Sequence, residues 1–388
     1  MLNLEYYLNA IRTRVETRSA LRKDCIVPGR VVVLESDDWG SIRMPSTDTL
    51  HELKSHGYKF FEENGYDYYD TLASNDDLSV LIETLSSVED ALGNPAKLTM
   101  NCVVANPDFK KIQESEFQEY HYELFTETLK RYPNHDSSLK LWHEGMKQCV
   151  FRPQFHGREH LNVQMWLKLL QKRYAPIRDS FDKNVFSTKV DFNVDTRLHC
   201  LSAYNVATED EYSFVKHSVR DGLDIFEKIF KYRPTSMIAP NYTWDTAIED
   251  IAYLCGVKYL QGSRIQRHSQ YVMNNGGKYQ VRYMGQQNEN GQIYLVRNCS
   301  FEPSENPKKD ADYCMAQIDK AFKRNNAAII SIHRQNFIGG LHKKNRDNNL
   351  QQLNLLLSTI VRRYPDVSFL SSDELGLLIE ITNNENCF

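Results

Sequence analysis

No apolar run in this 388-residue chain comes near the ~20 residues that a membrane-spanning helix needs. The N-terminal stretch "MLNLEYYLNAIRTRVETRSALRK" alternates apolar and charged residues at helical spacing. It lacks the continuous apolar core and small-residue cleavage site of a signal peptide. The eight cysteines (Cys25, Cys102, Cys149, Cys200, Cys255, Cys299, Cys314, Cys387) form no C-x-x-C pair and no framework spacing. They read as reduced, mostly buried thiols rather than a disulfide scaffold. These absences point to a cytoplasmic protein without a membrane span, in which the sequons at Asn241 and Asn298 have no use. Charge of one sign is not in excess either. A net charge of −4 gives no reason to expect nucleic acid or an anionic membrane as partner. Internal repeats and low-complexity tracts are also missing.

What remains is the composition of a globular chain with a substantial core: 41% apolar and 25% charged, long enough for one large or two ordinary domains. Short apolar segments rich in β-branched residues read as strands: "RVVVLES" (30–36), "KLTMNCVVA" (97–105), "TSMIAP" (235–240), "AAIISIH" (327–333) and "DVSFLS" (366–371). Amphipathic helical patterns lie near 76–91, 116–131, 160–172, 209–231, 245–255, 310–323 and 346–364. Strands alternating with helices of this length predict an α/β fold with a largely parallel sheet, and the length allows a barrel. A single domain spans 1–388, with an N-terminal helix at about 1–25 and a core at about 30–375. The aromatic- and charge-rich region of about 106–150 reads as a mostly helical insertion. A further irregular stretch, 261–300, carries the turn or hairpin signal Asn274-Asn275-Gly276-Gly277.

Four segments could carry chemistry. "VVVLESDDWGS" (31–41) runs an apolar strand into Asp37 and Asp38, where α/β barrels place catalytic groups. Turn chemistry and a helix cap account for such a pair equally well. "FRPQFHGREHLNVQMW" sets His156 and His160 four apart, so that on a helix or tight turn both imidazoles can reach one metal ion. Among 12 histidines such a pair also arises by chance, and Gly157 after the first His disfavours a zincin, which has Glu there. In "AAIISIHRQNF" a strand ends on His333, either as a functional group or as a core histidine satisfied by backbone. "SMIAPNYTWD" brings Pro240-Asn241-Tyr242 after a strand, which simple strand-to-helix turn chemistry also explains. The combination is stronger than its parts. One carboxylate and two histidines make an N,N,O site for a divalent ion with open positions, leaving an Asp to take a proton from water and His333 to give one to a leaving amine.

In this order the four segments resemble the NodB-type polysaccharide deacetylases of carbohydrate esterase family four. "ESDDWG" is similar to that family's T-F-D-D-G motif with Trp39 inserted, His156 to His160 to its H-[ST]-x-x-H, Ile332-His333 to its L-x-H, and Ala239-Pro240-Asn241-Tyr242 to its R-P-P-Y-like motif. The resemblance implies a distorted (β/α) barrel of the polysaccharide deacetylase type. It implies Asp38, His156 and His160 as ligands of a divalent metal, Zn²⁺ first and Ni²⁺, Co²⁺ or Mn²⁺ as alternatives. It further implies Asp37 as general base, His333 as general acid, and Tyr242 as an oxyanion-hole donor through its backbone N–H. The family's third-motif Arg, which orients the base, is replaced here by Ala239. Arg158, Arg297 and Arg334 are the candidates to compensate. The motifs span roughly 30–375, and the longer gap between the Asp pair and the His pair marks a divergent branch.

The expected activity is therefore metal-dependent removal of acetyl groups from an N-acetylated amino sugar or glycoconjugate. Two alternatives stand beside it. One is hydrolysis of another non-peptide C–N bond. The other is a catalytically silent barrel that binds carbohydrate or a protein partner.

Overall fold

The computed structural model describes residues 2–58, 66–188, 200–274 and 279–385. Its centre is a parallel sheet whose strands are β1 (Arg30–Trp39), β2 (Leu98–Cys102), β3 (Phe151–Phe155), β4 (Ser236–Ile238), β5 (Tyr259–Gly262), β6 (Ile293–Val296), β7 (Cys299–Ser300), β8 (Ala328–His333) and β9 (Val367–Leu370). The hydrogen-bonded order is β6-β5-β4-β3-β2-β1-β8-β7, with β9 pairing the first four residues of β1. The two ends of this path are neighbours in sequence, for only Arg297 and Asn298 separate β6 from β7. Three Cα steps reach at most ~11 Å, so the sheet must curl until its edges nearly meet. The backbone records the crossing: Arg297 N–H still donates to Gly262 on the β5 side, while Asn298 N–H donates to Ile329 on the β8 side. This is the distorted (β/α) barrel expected from the sequence.

Strands covered on both faces read as continuous apolar runs, and β1 shows why. Val32 and Leu34 join the large core between sheet and helices, whereas Val31 and Val33 join a second cluster with Ile293, Leu295 and Ile329 inside the curl. The C-terminal helix Ser372–Glu385 closes that inner space with Leu375 and Ile379. The next inward positions of β1 are Glu35 and Asp37, so the barrel interior passes from apolar to polar toward the C-terminal edge of the sheet.

All five segments expected as strands are strands. β3, β5, β6 and β7 were not foreseen: Arg152 and Pro153 interrupt the apolar pattern of β3, and β6 lies in the stretch read as irregular. Between β2 and β3, the 106–150 region holds helices Phe109–Glu114, Phe125–Arg131 and Ser138–Lys147, and Tyr122–Leu124 pairs antiparallel with Ala105–Pro107. The turn signal after Asn274 lies outside the described residues, but the strands flanking it, Ile265–Arg267 and Tyr279–Val281, do pair antiparallel. No helix among the described residues is long and apolar enough to cross a membrane.

Candidate metal centre

The C-terminal ends of β1, β3, β4 and β8 converge on one cleft of about 260 Å³, lined by Asp37, Asp38, His156, His160, Tyr242 and His333. Regular alternation would send Asp37 and Asp38 to opposite faces of β1. A bulge prevents this. The register against β2 shifts between Ser36 and Trp39, and Asp38 takes a left-handed backbone, φ 74°. Both carboxylates thereby reach the cleft. The inserted Trp39 does not line it: the ring is buried edge-on against Trp142, and its Nε1–H donates to Ser36 Oγ at 2.9 Å. Gly40 is required beside it, because a Cβ there would lie 2.3 Å from the Val103 carbonyl oxygen at a φ of +82°.

Of the two settings expected for this pair, a helix or a tight turn, His156 and His160 take the second, in an irregular loop after β3. Gly157, at φ 110°, turns the chain so that the two rings lie 5.0 Å apart. Asp38 Oδ1 is 3.4 Å from the Nε2 atoms of both histidines. Ligand atoms of the three residues lie within 4.8 Å of one another. His156 Nδ1 faces the Ile238 carbonyl at 3.0 Å, which as a donor would leave Nε2 with its lone pair. Burial holds the His160 pKa well below the usual imidazole value, against the pull of Asp38, so its ring is neutral. Burial would raise Asp38, but the Arg43 charge overrules it and keeps the carboxyl ionised. Asp38 Oδ1 and His156 Nε2 are buried without any hydrogen-bond partner. Unsatisfied buried polar atoms are costly. Their 3.4 Å separation matches the ~3.3 Å edge of a tetrahedron with ~2.0–2.1 Å metal–ligand bonds. Two imidazoles and one carboxylate thus fit a divalent ion.

Asp37 is held differently. Arg297, projecting from the barrel seam, grips it with Nη1 to Oδ2 at 2.6 Å and Nη2 to Oδ1 at 2.7 Å, and Asn101 donates to Oδ1 at 2.8 Å. Arg297 Nε is anchored in turn on buried Glu35 at 2.6 Å. Burial again pushes Asp37 upward, yet the Arg297 charge and hydrogen bonds bring it down to about 2. Of the three arginines considered, Arg297 therefore serves Asp37, while Arg158 pairs with Glu159 and Asp221, and Arg334 with Asp70. His333 stands opposite, its Nε2 3.9 Å from Asp37 Oδ2 and its Nδ1 2.6 Å from Glu302. Burial would lower the imidazole, but Glu302, Asp37 and Asp38 lift it to about 9. Glu302 was not singled out in the sequence; its only signal is a lone carboxylate soon after the short strand β7.

Tyr242 requires a correction. It lines the cleft, but its N–H, expected as an oxyanion donor, closes a turn onto the Ala239 carbonyl at 3.0 Å. Its hydroxyl accepts instead from Arg297 Nη1 at 2.9 Å.

A family model for Glycosyl hydrolase family 57 matches residues 51–300, well over half of the chain. The chain belongs to glycosyl hydrolase family 57. The match includes His156, His160 and Arg297 but not Asp37, Asp38 or His333. No curated protein matches the sequence. Among solved structures, a candidate glycoside hydrolase/deacetylase from Parabacteroides distasonis is similar at 11% identity and a TM-score of 0.47, over 91% of this chain and 72% of that one. A candidate polysaccharide deacetylase from Mycobacterium smegmatis is similar at 9% identity and 0.44, over 93% and 94%. The 4-alpha-glucanotransferase from Thermococcus litoralis gives 8% and 0.43, over 89% and 40%. This member of family 57 is a hydrolase-type enzyme of a carbohydrate-acting family.

Proposed function

We propose that the family 57 chain is a metal-dependent hydrolase that removes acetyl groups from an N-acetylated amino sugar or glycoconjugate. The carrying observation is the convergence of Asp38, His156 and His160, with Asp38 Oδ1 and His156 Nε2 lacking protein partners, beside an arginine-clamped Asp37 and a His333 whose pKa is raised to about 9. A divalent cation held by those three residues, Zn²⁺ first, would supply Lewis-acid polarisation of the amide carbonyl. Asp37, ionised and fixed by Arg297 and Asn101, accepts the proton of the attacking water. His333, kept charged by Glu302, donates a proton to the departing nitrogen. Tyr242 braces Arg297 through its hydroxyl rather than donating its N–H.

Family membership favours a second reading, cleavage of a glycosidic bond. That chemistry asks for two carboxyl groups, one of them raised in pKa so that it enters as an acid. Asp37 and Asp38 are instead both held ionised, which supports the amide reading.

Acetate, ammonia and new reducing ends should be assayed together on N-acetylated sugars, small amides and glycans. Acetate release that is lost on chelation, and lost in Asp37→Asn with metal content intact, supports the proposal. Reducing ends released in the presence of chelator would replace it with the glycosidase reading, and ammonia from small amides with another C–N hydrolase.

A further inference from the structure

Beyond its charge beside Asp38, Arg43 has no part in the chemistry described so far. It follows the β1 bulge, its side chain is 3% exposed, and it lines the same cleft. Its Nη2 donates to Asp38 Oδ2 at 3.0 Å, whereas Nε is 3.7 Å from Asp70, and neither Nε nor Nη1 has a hydrogen-bond partner. Asp70 is committed elsewhere, to a two-pronged contact from Arg334 at 2.8 and 3.1 Å. The one well-formed hydrogen bond of this buried guanidinium therefore occupies one oxygen of the carboxylate whose other oxygen, Oδ1, faces the two histidines.

We infer that Arg43 is a positioning residue that sets how Asp38 binds metal, by holding Oδ2 away so that Oδ1 alone ligates. The inference rests on the metal centre proposed above. A carboxylate free to turn offers both oxygens and raises the coordination number, which suits larger, oxygen-preferring ions. One oxygen and two imidazoles suit a small ion of low coordination number such as Zn²⁺. The same contact places a positive charge behind the ligand, which penalises any ion held mainly by charge rather than by nitrogen donors. Arg43 thereby biases the site toward Zn²⁺ over Mn²⁺.

The test is the Zn²⁺/Mn²⁺ affinity ratio, measured by competition with a chromogenic chelator on the full chain and on Arg43→Gln and Arg43→Lys, together with the visible spectrum of the Co²⁺-loaded wild type. Arg43→Gln is expected to lower the ratio about tenfold or more, within the range for residues that orient a ligand. Arg43→Lys, which still donates to Oδ2, should recover part of it. The Co²⁺ wild type should show the intense bands of a four- or five-coordinate ion, a reading that does not depend on either variant folding. A ratio in Arg43→Gln within twofold of wild type, or a weak six-coordinate Co²⁺ spectrum, overturns the inference and leaves the metal centre standing. Failure of the wild type to bind any of the three ions removes the metal centre, and this role for Arg43 with it.

Discussion

At the scale of residues, the cleft is a set of charges that only burial and pairing make tolerable. Arg297 bridges Asp37 and Glu35, both buried, with its charge directed chiefly at Asp37. Removing one partner of a buried ion pair costs about 3–5 kcal/mol because the other charge is stranded. Arg297→Ala should therefore lose stability of that order in urea denaturation and about 10²-fold in kcat, while binding metal as before. Unchanged turnover would deny Asp37 its role. His333 is protonated below about pH 9, so activity that uses it as an acid should fall as pH rises through that value. Glu302→Gln removes the main support of the charged ring, and the alkaline fall in the kcat profile should then move to lower pH. A profile that does not move would sever Glu302 from the reaction. From sequence, Asp37, Asp38 and the histidines were legible because motif residues stay close along the chain. Glu302 and Arg43 were not, since nothing local marks a lone charge as the partner of a distant one.

At the scale of elements, β1 decides the site. Its apolar run is readable as a strand, but the bulge that brings both aspartates to one side is not, because alternation in the sequence does not show where a register slips. Trp39 and Gly40 are the trace it leaves. Gly40→Ala adds about 1–2 kcal/mol for a left-handed alanine, and the close approach of Val103 adds to that. The expected result is a destabilised protein with reduced metal content. Wild-type stability and metal binding would show that the bulge does not depend on glycine. That His156 and His160 sit in a turn rather than a helix was left open for a related reason: Gly157 permits a backbone that i,i+4 spacing alone does not reveal. Arg297 was one of three candidates, and only closure of the barrel at residues 297–298 selects it.

At the scale of the whole molecule, the chain closes a parallel sheet on itself and plugs the inside with the helix Ser372–Glu385, without covalent cross-links among the described residues. The seven described cysteines are free, so the thermal midpoint should be the same with and without a thiol reductant. A shift of several degrees would indicate a bond not present in this fold. What unites the scales is the ion proposed for the mouth of the barrel. The most direct measurement is elemental analysis of the purified protein, paired with hydrolysis before and after exhaustive chelation. The expected result is about one divalent ion per chain, absent from His156→Ala, with acetate release lost on chelation and restored by Zn²⁺. A wild type that neither contains nor takes up a divalent ion, or that hydrolyses its substrate equally well after chelation, would contradict the metal centre.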